Sequence, residues 1–113
     1  VDRESAVALV EKYRELFVEA FIFGSVAAGE ADEYSDLDLV LVRETELPFV
    51  ERAKEVLPLL RESGGADLLI YTPEEYERER RRGGFVAQVT GPGSVRIEGK
   101  QKRRGAVVEA GGE

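Results

Sequence analysis

Residues 37–43, Leu37-Asp38-Leu39-Val40-Leu41-Val42-Arg43, are apolar on both faces of an extended chain. A strand of that kind needs cover on each side, so it reads as the centre of a sheet flanked by helices. Two other short apolar runs supply strands beside it: residues 21–23, and residues 66–71, again opened by an acidic residue, Asp67. The segments between them carry helical signals. In residues 2–19, Ala6, Leu9, Val10, Tyr13, Leu16 and Phe17 recur at three- and four-residue spacing, which predicts one amphipathic helix with a solvated face. A second helix is expected with Thr45 as cap and Pro48 in its first turn, burying Val50, Ala53, Val56, Leu57 and Leu60. Pro58 falls inside that pattern and is expected to bend its last turn before Ser63-Gly64-Gly65 ends it. Thr72-Pro73-Glu74-Glu75 is a helix start, and that helix is expected to break at Gly83-Gly84. A helical piece over 85–89, a turn at Gly91-Pro92-Gly93 and a last strand over 94–98 follow.

The expected fold class is α/β, a small mixed β-sheet flanked by helices. The helical crossover between residues 43 and 66 makes the strands opened by Asp36/Asp38 and by Asp67 parallel, so all three carboxylates are expected at one end of the sheet. The strand at 21–23 must run antiparallel to them if its end is to meet their acidic starts. All 113 residues read as one unit, residues 1–98 forming the domain and 99–113 a charged, Gly-rich tail expected to be poorly ordered.

With neither Cys nor His, zinc sites of that type, thiol chemistry and any Ser-His nucleophile pair are excluded. Acid–base or metal work must fall to carboxylates, Lys, Tyr or Ser. A net charge of −7 argues against direct nucleic-acid binding and suits a basic protein partner. The chain has neither a membrane-spanning apolar run nor a secretory leader at its start, and the absence of Cys fits a reducing compartment, so the expected location is cytoplasmic.

The chemistry-bearing stretch runs from Phe21-Ile22-Phe23-Gly24-Ser25 to Asp36-Leu37-Asp38. Asp36 and Asp38, two apart on a strand, point the same way. Two like charges that close raise one another's pKa unless a cation sits between them, and oxygen-only donors suit a hard ion such as Mg²⁺. Gly24-Ser25, at the end of one strand and the start of a helical turn, is a place to cradle phosphate. The plainer alternative is a turn followed by a capped strand, with Asp67 a simple strand-end residue. Glu30, Asp32 and Glu33 read as a solvated loop rather than extra ligands. Arg78, Arg80, Arg81 and Arg82 interleave with Glu74, Glu75, Glu77 and Glu79, the pattern of an ion-paired solvated helix face. A part in gripping a triphosphate or a partner stays open for them. Tyr34 and Tyr76 can stack on a base or serve as amphipathic surface residues.

Gly24-Ser25, ten intervening residues and Asp36-Leu37-Asp38 resemble the signature of the minimal nucleotidyltransferases of the polymerase-beta-like superfamily, with Asp67 in place of the third carboxylate. The resemblance implies the nucleotidyltransferase fold and a nucleoside triphosphate held by Gly24 and Ser25. It also implies Asp36, Asp38 and Asp67 as catalytic carboxylates binding two Mg²⁺ ions, with Asp67 helping to deprotonate the attacking hydroxyl. Two such ions ~3.5–4 Å apart would stabilise the entering and leaving oxygens of an in-line displacement. The implied reaction is transfer of AMP from ATP to a protein acceptor. Antitoxin-type members modify a Tyr of a HEPN-domain RNase toxin, so that toxin is the implied partner. Many members of the family carry a basic residue between the Gly-Ser and the second Gly, whereas Val26-Ala27-Ala28-Gly29 has none. Two other readings stand beside this one: a binding antitoxin that acts by contact alone, and a nucleotidyltransferase for a small molecule such as an aminoglycoside.

Overall fold

A computed structural model describes residues 2–32 and 35–104. The sheet has four strands in the order β3-β2-β1-β4: β1 is Glu19–Phe23, β2 Asp38–Val42, β3 Asp67–Tyr71 and β4 Val95–Glu98. β1 pairs antiparallel with β2 and with β4, while β2 and β3 are parallel, so the sheet is mixed as expected. Alternation along β2 sorts the core into two. Leu37, Leu39 and Leu41 enter the larger cluster, under α1 (Arg3–Lys12), α2 (Gly24–Ala28) and α3 (Leu57–Glu62). Val40 and Val42 enter the smaller one, with Tyr76 of α4 (Pro73–Arg82) and Val86 of α5 (Phe85–Val89). Both faces of β2 are thus covered, which is what its composition demanded.

Three expectations change. The helix expected over 2–19 stops at Lys12, because Tyr13 leaves helical geometry, a 3₁₀ turn spans Arg14–Leu16, and Glu19 already belongs to β1. Its start is set by a capping box in which the Asp2 carboxylate accepts from Ser5 N–H at 2.8 Å. The second helix is split into a 3₁₀ segment, Phe49–Val56, and α3, which places Pro58 in a first turn where its missing N–H costs no hydrogen bond. Thr45 caps neither piece; its hydroxyl donates to Glu55 and accepts from Leu47 N–H. The capping box at Thr72 and Glu75 and the break at Gly83 stand as read.

Residues 99–104 stay hydrogen-bonded to the body: Gly99, Lys100 and Gln101 N–H donate to the carbonyls of Val18, Arg14 and Phe17. The rest of the expected tail, 105–113, lies outside the described residues. Gly99 has to be glycine, since a Cβ there would stand 1.9 Å from the Phe17 carbonyl oxygen. Gly99→Ala is therefore expected to cost roughly 1–3 kcal/mol by forcing backbone apart, read as an earlier urea midpoint at unchanged slope.

Candidate active site

β1 ends at Phe23, and the chain turns at Gly24 (φ 75°) into α2, whose far end is closed by Gly29 (φ 77°). The left-handed conformation at Gly24 and the absence of a side chain serve one purpose. A Cβ there would lie 2.3 Å from Asp38 Oδ2, so only glycine lets the turn sit against that carboxylate. No side chain caps the first turn of α2, in which Ser25 stands.

Phe23 pairs with Asp38, and Asp38 with Asp67, in the registers of three adjacent strands. The three side chains therefore form one row on the face shared by Val40 and Val42. Asp67 N–H donates to Leu37 C=O at 2.8 Å, extending the parallel ladder one residue past β2 and holding the two acidic strand starts level. The Asp38 carboxyl is pushed above its ordinary 3.8 by burial first, then by the charge of Asp67, by a hydrogen bond with Asp67 and by the charge of Asp36. Two carboxyls in that contact share a proton or share a cation.

The structure separates the three expected carboxylates into a facing pair and an outlier. Asp38 and Asp67 meet. Asp36 is exposed and stands ahead of β2, which begins at Asp38. It reaches Asp38 by charge, and among the described residues no three acidic side chains stand ready-placed as a metal cage. The donor chemistry nonetheless fits a hard divalent cation: oxygen atoms only, two facing carboxyls, and a repulsion that such an ion relieves.

The arginines of α4 do not reach this site. Arg78, Arg81 and Arg82 line a groove of about 790 Å³ with Glu44, Pro73, Arg103 and Arg104. Glu44 and Pro73 lie just past the C-terminal ends of β2 and β3, on the rim opposite Asp38 and Asp67. Arg80 pairs with Glu77 and Arg82 with Glu79, the ion-paired face read from the sequence. Tyr76 is no base platform, being buried and stacked on Phe21 with ring centroids 5.5 Å apart. Tyr34 and Glu33 lie outside the described residues. Asp32 forms a local turn with Ser35.

Two cationic side chains were missed in the sequence, one beside α2 and one that is structural. Arg3 of α1 brings Nη2 to within 3.3 Å of where a Gly29 Cβ would be, so a guanidinium stands at the end of α2 although residues 26–28 carry none. No spacing in the sequence links residue 3 to residue 29. Arg52 is 6% exposed. Its guanidinium donates to both Glu75 oxygens and to the carbonyls of Leu47 and Ile70. It fastens the 3₁₀ segment to β3 and α4.

A mixed sheet with a glycine turn at one strand end and facing carboxylates on its neighbours is the frame of a nucleotide-transferring domain. The nucleotidyltransferase domain family model matches residues 6–107, and the chain belongs to that family. It is therefore a nucleotidyltransferase. A candidate nucleotidyltransferase from Sulfolobus solfataricus, known from a 1.40 Å crystal structure, is 23% identical with a TM-score of 0.49, over 89% of this chain and 79% of that one. Comparison with curated proteins gave no match. Among the described residues no helix is long and apolar enough to cross a membrane.

Proposed function

We propose that this nucleotidyltransferase moves AMP from ATP to a hydroxyl of a protein acceptor, a Tyr of a HEPN-domain toxin, and acts as that toxin's antitoxin in the cytoplasm. The observation that carries the site is the Asp38–Asp67 pair level with the glycine turn that rests on it. In this reading Gly24 and Ser25 hold the triphosphate by backbone N–H groups, while Arg3 adds positive charge at the other end of α2, beside Gly29. Asp38 and Asp67, with Asp36 swinging in, would hold Mg²⁺. The bound ions supply charge neutralisation along the phosphates and at the developing oxyanions.

The acceptor oxygen forms a bond to the α-phosphorus, the bond from that phosphorus to the α–β bridging oxygen breaks, and pyrophosphate leaves with the electron pair. Asp67 takes the hydroxyl proton. Transfer of that kind contributes ~10²–10⁴-fold. The acceptor assignment rests on the family resemblance, and a net charge of −7 suits a basic partner.

Incubation with α-labelled ATP, Mg²⁺ and a HEPN protein is expected to label that protein, with label lost on chelation. Label appearing on aminoglycosides instead would overturn the acceptor, and no transfer to any hydroxyl would overturn the reaction. Independently of turnover, ATP with Mg²⁺ at about a hundred times its dissociation constant is expected to add ~2.7 kcal/mol to stability. A melting temperature unmoved by the pair would count against the site.

A further inference from the structure

We infer that Phe85 is the platform on which the base of the incoming nucleotide stacks, an inference that rests on the nucleotide site proposed above. The row Phe23–Asp38–Asp67 crosses three strands on one face. Phe85, the first residue of α5, continues that row at its Phe23 end: the two rings meet edge to face, centroids 6.0 Å apart and planes at 86°. With strands ~4.8 Å apart and the two rings 6.0 Å apart, the Phe85 ring lies within roughly 11 Å of the Asp38 position. That is the reach of a nucleotide from its α-phosphate across the ribose to the base.

Packing against Phe23 accounts for only one edge of the ring. α5 is anchored by Val86, which is buried against the smaller core, while Phe85 stays 54% exposed. The other large apolar side chains left open among the described residues, Phe49 and Val50, belong to the 3₁₀ segment beside Tyr71, at the opposite rim. A stacked base would take the open part of this ring out of water, at roughly 25 cal/mol per Å² of apolar surface. Phe23 holds the ring by one edge, and a planar, uncharged partner is what the free face of a phenyl ring takes best. Stacking of this kind reads no hydrogen-bond pattern, so the platform accepts any base and favours purines by area.

The test compares equilibrium binding of ATP and of inorganic triphosphate, each with Mg²⁺, to the wild type and to three variants. Phe85→Ala is expected to weaken ATP by about 5- to 100-fold and to leave triphosphate unchanged. Phe85→Leu keeps an apolar contact with Phe23 without an aromatic face, so it guards against misfolding and is expected to lose most of the same affinity. Phe85→Trp is expected to restore it. ATP binding unchanged in the Leu variant, or equal losses of ATP and triphosphate, would overturn the platform and leave the phosphate site standing. A wild type that binds neither ligand would bring down the nucleotide site itself, and the platform with it.

Discussion

Asp38→Asn is expected to cut nucleotide transfer by on the order of 10³-fold or more while raising the melting temperature of the ion-free protein. The two effects share one cause. Asp38 faces Asp67 in register, and burial together with that neighbour holds its carboxyl above the ordinary value. Cation binding and charge stabilisation at such a carboxylate are worth several kcal/mol in the transition state, and each ~1.36 kcal/mol is tenfold in rate. In the ion-free fold the same charge is a burden. A carboxyl whose pKa is higher folded than unfolded binds more protons in the native state, so stability falls as pH rises from the unfolded value through the folded one. The amide abolishes that loss, and wild type and variant should converge in melting temperature at the acid end of the window. A variant less stable than wild type at pH 7 would show that Asp38 is held by something other than repulsion. The same variant separates catalysis from contact: full neutralisation of a partner toxin by Asp38→Asn would mean that binding alone suffices.

Arg52→Met is expected to cost about 3–5 kcal/mol at neutral pH, the range for removing one partner of a buried ion pair. The Arg52 side chain is 8% exposed and that of Glu75 is 30%, so the remaining carboxylate recovers some water and the lower end of the range applies. Glu75 titrates below its ordinary 4.5 chiefly through its hydrogen bond with Arg52. Its contribution is therefore complete above that value and is lost as pH falls through the depressed one. The gap between wild type and variant should narrow on acidification. Arg52→Met/Glu75→Gln should recover part of the loss, and a double-mutant cycle in urea measures the coupling. A full recovery would leave the two carbonyl contacts, to Leu47 and Ile70, without weight.

The site was legible where local rules act alone and illegible where distant segments meet. Residues 37–41 could be sorted by period-two alternation because β2 is covered on both faces, and the antiparallel and parallel pairings followed from where Gly24, Asp38 and Asp67 had to converge. The sequence opened that strand at Asp36, whereas β2 begins at Asp38 and leaves Asp36 exposed ahead of it. Pro58 looked like a flaw in one helix. It proved to be an N-terminal proline of another, because the preceding turn is 3₁₀. Arg52 was hidden by its own charge: a guanidinium inside an amphipathic stretch reads as solvent-facing until the carboxylate and carbonyls that satisfy it are known.

Sequence alone determined the α/β class and the mixed sheet, because strand period, turn residues and crossover length are local quantities, and its glycine–carboxylate spacing carried the resemblance to the nucleotidyltransferases. Tertiary structure decided the rest. Register made Asp38 and Asp67 one facing pair, the Cβ-free surface of Gly24 let the turn rest on Asp38, and α5 set an open phenyl ring at the end of that row. Those arrangements depend on which residues stand opposite one another across strands, and the linear chain does not carry that distance.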